Sequence, residues 1–225
     1  MLRAMTGTVR DVASEADLID ALGPAPADGR ALILIGGADA TEPERHASLQ
    51  AFFITLARYC EQTGTTVVDG GTDSGVMRFI GEARTAIGGT FRLVGVAPQG
   101  AFQRPTKAGS QIRPAPNHSL ILRVPGGWFG DETRWLFAAA DHISRGSAAT
   151  FVVNGGRLTL DEANQRLASR HPVVAVQGSG RAADELVGDE ALRASGRLRV
   201  ISMSVDEAGL AAAIEANDPE RGMHV

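Results

Sequence analysis

Short apolar runs bounded by glycine or proline recur along this chain, and segments of helical length and pattern separate most of them. The runs cover residues 31–35, 65–68, 93–97, 120–124, 150–153, 173–176 and 198–203. The intervening segments cover residues 43–62, 74–87, 131–144, 159–169, 181–186 and 205–216. Apolar runs of this kind predict buried strands, and their alternation with helices predicts right-handed crossovers. The sequence therefore predicts an α/β fold with a doubly wound, mainly parallel sheet and helices on both faces.

The length of the chain is typical of one α/β domain near the upper edge of the usual size. Within residues 1–30 the pattern predicts a leading helix at 14–22. A loop rich in proline and glycine follows this helix, and we interpret it as a connection. Residues 98–116 lack regular periodicity and predict either a lid over a ligand site or a surface loop. The tail, 217–225, is expected to fray. We therefore expect residues 1–225 to form a single ligand-binding domain.

Charge and composition exclude several classes of protein. The formal net charge of -4 argues against binding to a nucleic-acid backbone, which calls for a basic face. No apolar stretch has the roughly 18 residues of a membrane span, so we expect no membrane partner. Cys60 is the single cysteine and cannot pair within the chain, which predicts a reduced, cytoplasmic compartment. The five histidines lack metal-ligand spacing, and we expect neither a metal nor a cofactor.

The clearest chemical signal is a glycine loop that joins a predicted strand directly to a predicted helix. Backbone amides at such a helix start have no partner within the helix, and the helix dipole favours an anion there. Glycines permit a tight turn and leave room for a phosphate to approach the main chain. The alternative is an ordinary turn with a helix cap at Asp73 or Ser74. The candidate ligand-binding residues of this loop are Gly70, Gly71, Thr72, Asp73, Ser74, Gly75, Val76 and Met77.

Three further predicted strands end in glycines. Because the carboxyl ends of parallel strands meet at one edge of a sheet, we expect at least two of the four glycine exits to line a single anion-binding crevice. Thr159, with Glu162 three residues later, predicts either a reciprocal helix cap or a ligand contact. The further candidate ligand-binding residues are Gly36, Gly37, Asn154, Gly155, Gly156 and Thr159. The last of these exits is residues 178–180.

The two main loops resemble the paired signatures of the SLOG superfamily, which includes the LOG or "lysine decarboxylase-like" proteins. The residues that match the first LOG motif are Gly70, Gly71, Gly75 and Met77. Those that match the second, Pro-Gly-Gly-x-Gly-Thr-x-x-Glu, are Gly155, Gly156, Thr159 and Glu162. Asn154 replaces the proline of that motif, and Leu158 replaces its last glycine. With residues 117–119 and 130–132, the sequence is most similar to the prokaryotic SLOG branch related to the sensor region of melastatin-type TRP channels.

The resemblance implies a Rossmann-like fold that binds nucleotides, nucleotide sugars or NAD-derived molecules such as ADP-ribose. It favours a protein that binds or senses such a small molecule, with a phosphoribohydrolase as the alternative. LOG enzymes cleave the N-glycosidic bond of a nucleoside 5′-monophosphate with a glutamate and an arginine. Glu162 matches the glutamate position, and Arg134 is the candidate arginine. LOG proteins commonly dimerise, so a homodimer is also expected, with residues 135–137 either as an apolar contact patch or as core.

Three polar residues outside the glycine loops complete the set of candidates. Asn117 and His118 precede a predicted strand, where His118 is either a buried core histidine or a ligand contact. Glu132 lies at a predicted helix start, where the helix dipole favours an acid in any case. A carboxylate there would also be a natural acceptor for the ribose hydroxyls of an adenosine-containing ligand.

Overall fold

The computed structural model describes residues 7–37, 43–103, 105, 109 and 111–215. Strands and helices alternate along most of this part of the chain. The strands are β1 (Thr8–Asp11), β2 (Ala31–Gly37), β3 (Thr66–Asp69), β4 (Leu93–Pro98), β5 (Leu120–Val124), β6 (Ala149–Asn154), β7 (Val173–Gln177) and β8 (Leu198–Ser202). The helices are α1 (Glu15–Leu22), α2 (Pro43–Thr63), α3 (Gly75–Ala86), α4 (Thr133–Ser144), α5 (Arg157–Ala168), α6 (Arg181–Gly188), α7 (Glu190–Ala194) and α8 (Glu207–Glu215). The tail, 217–225, lies outside the described residues.

The eight described strands form one parallel sheet in the order β1-β5-β4-β3-β2-β6-β7-β8. From β2 the chain adds β3, β4 and β5 on one side, and it then returns to the other side of β2 to add β6, β7 and β8. The strand order therefore reverses between β2 and β6, where Gly36 lies opposite Val153 and Gly37 opposite Asn154. Such a reversal opens a crevice at the carboxyl ends of the strands. The predicted doubly wound α/β fold is confirmed.

Apolar side chains on the two faces of the sheet form two separate cores. On one face, Val68 belongs to a core that includes Leu18 of α1 and Leu136 of α4. On the other face, Val67 belongs to a core that includes Phe52 of α2 and Ile80 of α3. Because both faces are covered, the central strands are buried and mostly apolar, and they do not alternate with exposed polar residues. The apolar patch considered for a dimer, residues 135–137, packs into the first of these cores.

The amino-terminal region contains one strand that the sequence pattern did not indicate. β1 pairs in parallel with β5 at the edge of the sheet, and all four of its residues are exposed. An exposed edge strand has no apolar run, so periodicity alone could not reveal it. The helix that follows is confirmed: Ser14 caps α1 by accepting the amide of Asp17, and the Asp17 carboxylate accepts the amide of Ser14.

Two glycines approach each other closely beneath the loop that follows β3. A Cβ atom on Gly95, in β4, would lie 2.4 Å from the Cα atom of Gly71 and 2.6 Å from Cδ1 of Ile121. Gly71 itself has a φ of 63°, in the left-handed region that favours glycine. Residue 95 therefore has to be glycine for this loop to sit on the sheet.

We expect Gly95→Ala to lower the free energy of unfolding by about 2 kcal/mol or more, because the added methyl overpacks the contact with Gly71 and Ile121. Urea unfolding followed by circular dichroism measures this. Gly188→Ala is the matched control, since a Cβ at residue 188 meets nothing within 4 Å. Equal stability of the two variants would contradict the packing argument.

Candidate functional site

A cavity of about 230 Å³ lies where the strand order reverses, above the carboxyl end of β2. The exits of β2 and β3 form one part of its wall, and the starts of α3, α4 and α5 form the rest. Its lining residues are Leu34, Ile35, Gly36, Gly70, Thr72, Ser74, Met77, Phe129, Glu132, Leu136, Leu158, Thr159 and Glu162. We call it the switch-point cavity. Seven of the residues predicted to form the site line it: Gly36, Gly70, Thr72, Ser74, Met77, Glu132 and Thr159, together with the predicted catalytic Glu162.

The glycine exits of β2, β6 and β7 meet beside this cavity. A Cβ on Gly37 would lie 3.8 Å from the Cα atom of Gly155, and one on Gly36 would lie 2.0 Å from the carbonyl oxygen of Val153. The buried hydroxyl of Ser179 accepts the amide of Asn154 at 2.8 Å, which ties the β7 exit to the β6 exit. We call residues 36–37, 154–156 and 178–180 the glycine rim. Residues 38–42, which continue the β2 exit, lie outside the described residues.

The loop after β3 is held by the buried pair Asp69 and His118, of which only His118 was among the predicted site residues. Oδ1 of Asp69 accepts the amide of Gly71 at 2.8 Å. Nε2 of His118 lies 2.8 and 2.9 Å from the two oxygens of the same carboxylate, and it donates because a carboxylate can only accept. His118 therefore shapes this loop from below. It does not line the switch-point cavity, and neither does Asn117.

A distant segment also braces the loop after β3. The amide of Asp73 donates to the carbonyl of Arg113 at 2.8 Å, and the amide of Ala115 donates to the carbonyl of Gly71 at 3.0 Å. With Ser74 donating to Thr72, several amides of the loop already have acceptors within the chain. The amides of Gly75, Val76 and Met77, which precede the first bond of the helix from Arg78 to Ser74, are therefore those that can face a ligand. The described part of the irregular segment 98–116 thus supports the site from one side.

Helices that begin at the crevice lack side-chain caps. The N-cap residues of α3, α5 and α6 are Ser74, Gly156 and Gly180, and none of them accepts an amide with its side chain. By contrast, Ser14 caps α1, and Asp189 caps α7 through the amide of Leu192. Uncapped amides and the positive ends of the helix dipoles remain available to an anion. This arrangement is what the glycine loops were predicted to provide.

The reciprocal cap considered for Thr159 and Glu162 does not form. α5 begins at Arg157, two residues earlier than the sequence pattern suggested, so Thr159 lies inside its first turn. Oε1 of Glu162 instead accepts the hydroxyl of Thr133, at 2.8 Å. The carboxyl of Glu162 is thereby directed across the cavity wall toward α4.

Two buried carboxyl groups face the same cavity. Glu162 is only 6% exposed, and burial raises its pKa to about 7, with a smaller increase from the charge of Glu132 and an opposing effect of the Thr133 hydroxyl. Burial also raises the pKa of Glu132, whose carboxylate accepts the amide of Gly130 at 2.6 Å. A carboxyl that titrates near neutral pH can accept a hydroxyl, or it can exchange a proton with a bound molecule.

Asn154 has a main-chain conformation that explains why the LOG proline is missing. Its φ is 55°, whereas the proline ring fixes φ near -65°. Asparagine is one of the residues that tolerate this left-handed conformation. Its Oδ1 atom is buried and accepts no hydrogen bond from the described residues.

The remaining predicted residues lie around the cavity or away from it. Arg134 lies with its guanidinium 4.5 Å from the ring of Trp135 and lines a separate depression with Ser14 and Ala138. It is not beside Glu162. The side chain of Asp73 accepts a hydrogen bond from Nε of Arg78. Val76 is fully buried in the core that includes Phe52 and Ile80. In the described residues, no cluster of three or more histidine, cysteine or acidic side chains is suited to a metal ion.

Two arginines at the glycine rim were not among the predicted residues. A guanidinium nitrogen of Arg181 lies 3.1 Å from the position of a Cβ on Gly156. A guanidinium nitrogen of Arg45 lies 3.9 Å from the position of a Cβ on Gly180. Arg181 directly follows the last glycine exit in the sequence, so its position at the rim could have been predicted from the sequence. Arg45 is on α2 and reaches the rim only through the fold.

We expect the stability of the protein to depend on the ionisation of Glu162. Its folded-state pKa of about 7 exceeds the ordinary value of 4.5, so the folded state binds this proton more tightly than the unfolded state does. The free energy of unfolding should fall as the pH rises from about 5 to about 8, with up to about 3 kcal/mol lost through this one group. Glu162→Gln should remove that part of the loss in urea titrations at each pH.

Glu185→Gln is the control for this titration, because Glu185 is exposed on α6. It should keep the pH dependence of the wild-type protein. If the free energy of unfolding changes with pH in the same way for the wild-type protein and for Glu162→Gln, the prediction is contradicted. Such a result would mean that Glu162 has the same pKa in the folded and the unfolded state.

Solved structures with the same fold cover most of this chain. The structural-genomics target TM1055 aligns with a TM-score of 0.57 at 19% identity, over 83% of this chain and 99% of that one. The molybdenum cofactor binding protein from the phototrophic bacterium Rippkaea orientalis aligns with a TM-score of 0.57 at 14% identity, over 85% of this chain and 98% of that one. At these identities the likeness shows a shared fold.

A third solved structure has the same fold, and a family model matches most of the chain. The molybdenum cofactor carrier protein from Chlamydomonas reinhardtii aligns with a TM-score of 0.54 at 18% identity, over 84% of this chain and 97% of that one. A comparison with curated proteins gives no match. The family model described as "SLOG in TRPM, prokaryote" matches residues 30–222. The resemblance drawn from the glycine motifs is thereby confirmed, and the chain belongs to this prokaryotic SLOG family.

Proposed function

We propose that this protein binds a nucleotide-derived molecule, such as a nucleoside phosphate, ADP-ribose or an NAD-like compound, in the switch-point cavity. The observation that carries the proposal is the meeting of glycine exits and uncapped helix starts beside a cavity with two buried carboxyl groups. Two proteins of the same fold are described as binding or carrying molybdenum cofactor, which supports small-molecule binding by this architecture. The family assignment supports it as well.

The glycine rim is the part of the site suited to phosphate. The starts of α3 and α5 present uncapped amides, and Arg45 and Arg181 add positive charge at the same place. At the β7 exit, the amides of Gly178 and Ala182 already donate to Asp184 and to the carbonyl of Gly155. The absence of Cβ atoms allows a phosphate oxygen to reach the main chain. A locally positive rim can therefore hold an anion, although the formal net charge of the whole chain is -4.

The cavity itself is suited to a polyhydroxylated sugar. Glu132 and Glu162 offer carboxyl oxygens that line the cavity. Ribose hydroxyls are donors that would satisfy these groups. A nucleotide would place its phosphate against the amides and arginines of the rim and its ribose hydroxyls against the carboxyl oxygens of the two glutamates.

The alternative is an N-glycosidic hydrolase of the LOG type, and one observation favours it. Glu162 has a pKa of about 7 inside the cavity, which is suited to general acid or base chemistry at the ribosyl bond. The position of Arg134 in a separate depression does not help this alternative. None of the residues that line the cavity within the described chain is basic. Binding or sensing is therefore the function that the site supports best.

Three broader expectations remain part of the proposal. We propose a single domain over residues 1–225, a homodimer and a cytoplasmic location. None of the helices in the described part of the chain has both the length and the apolarity needed to cross a membrane.

We expect AMP, ADP-ribose or NAD to raise the melting temperature of the protein. At a concentration of about 100 times Kd, binding adds about 2.7 kcal/mol to the free energy of unfolding. For a chain of this length that corresponds to a rise of roughly 5–10 °C in differential scanning fluorimetry. The absence of a shift with all three compounds would contradict the proposed function.

Arg181→Ala should weaken the binding of these compounds by about 10-fold, because a charge-assisted phosphate contact is lost at the rim. Isothermal titration calorimetry measures the dissociation constant. Arg193→Ala is the control: Arg193 is an exposed arginine on α7, where it pairs with Glu190. Equal losses in the two variants would mean that general positive charge, and not the rim contact, attracts the anion.

Turnover separates binding from hydrolysis. We expect no free base when the wild-type protein is incubated with AMP and the products are separated by chromatography. Release of adenine by the wild-type protein, and its loss in Glu162→Gln, would establish the hydrolase alternative instead.

A further inference from the structure

A short turn at the mouth of the switch-point cavity exposes two aromatic rings. Trp128 is 68% exposed and Phe129 is 49% exposed, and the neighbouring Leu158 at the start of α5 is 38% exposed. Among the described residues, only two other large apolar side chains, Val9 and Ile19, are comparably exposed. We call residues 126–130 the aromatic turn. Phe129 and Leu158 both line the cavity, whereas Trp128 does not.

The aromatic turn is firmly built. The carboxylate of Asp131 accepts the amides of Gly127 and Trp128, at 2.8 and 2.9 Å. The carbonyl of Gly126 accepts the amide of Gly100 at 3.0 Å. The exposure of Phe129 is therefore set by a hydrogen-bonded turn and not by an unconstrained chain. A ring that is held in place while half in water is prepared for contact with another apolar surface.

Glu132 connects this turn to the proposed sugar site. Its Oε2 atom accepts the amide of Gly130, the residue that follows Phe129. A Cβ on Gly130 would lie 3.2 Å from Cδ1 of Leu158. The turn before α4 and the start of α5 thus come together at the cavity mouth, with an apolar side chain from each. Glu132 and Glu162 therefore line the cavity, and Phe129 and Leu158 lie at its opening.

We propose that Phe129, supported by Leu158, is the stacking platform for the heteroaromatic base of the bound nucleotide. This inference rests on the proposed function. A base has an apolar face and a polar edge, so it suits an aromatic ring at an opening to water. With the phosphate on the glycine rim and the ribose at Glu132 and Glu162, the base is the part of the molecule that reaches the mouth. Phe129 therefore determines the preference for ligands that carry a base.

The test compares ligands with and without a base. Phe129→Ala should weaken the binding of AMP and ADP-ribose by roughly 10-fold, since stacking on an aromatic side chain has an effect of that order. The affinity for ribose 5-phosphate, which has no base, should change by less than about 2-fold in the same titrations. Phe129→Tyr should restore wild-type affinity because it keeps the ring. Trp128→Ala, in the same turn but outside the cavity lining, should bind as the wild-type protein does.

Three results would overturn the inference. If Phe129→Ala binds AMP with the affinity of the wild-type protein, the base does not stack on Phe129. If AMP and ribose 5-phosphate lose affinity equally, the ring supports the site as a whole. If sedimentation shows that Phe129→Ala and Trp128→Ala abolish a dimer while AMP still binds, the aromatic turn is a protein contact. Failure of the wild-type protein to bind AMP, ADP-ribose and NAD would instead overturn the proposed function together with this inference.

Discussion

The reversal of strand order between β2 and β6 is the constraint on which the site depends. β2 and β6 lie side by side, and the helices that follow them pack on opposite faces of the sheet. Among the described residues, therefore, no crossover helix covers the gap between their carboxyl ends. Glycine at residues 36, 37 and 155 lets the two exits approach within contact distance. The helices that begin around this gap direct their amino ends toward it. The cavity and the positive rim are both consequences of this one feature of the topology.

Much of the fold was accessible from the sequence because its central strands are continuous apolar runs. The strand at residues 120–124 was predicted with the bounds that the structure has, and the helix at residues 74–87 differs by one residue at each end. β1 was missed because its residues are exposed, and α7 was missed because a helix of five residues has too few turns for a periodic signal. Local pattern therefore succeeded wherever burial determined the residue types.

The site was only partly accessible, and the reason is that tertiary contacts determine it. The glycine loops could be recognised since each one lies within a short stretch of sequence. The contribution of Arg45, which reaches the rim from α2, depends on how two distant parts of the chain pack. The same holds for the bond from Thr133 to Glu162. Asn154 shows the converse case, since its departure from the LOG motif became understandable only when its φ was known.

The buried contact between Asp69 and His118 has a consequence for the order of folding. The two residues are 49 positions apart, and the intervening chain contains α3, β4 and the irregular segment before β5. Contacts of such sequence separation form slowly, because a long loop must close before they add any stability. We therefore expect the turn after β3 to acquire its final shape only after β5 has begun to join the sheet. A shorter fragment that ends before residue 118 would contain the glycines of this turn without the support that fixes them.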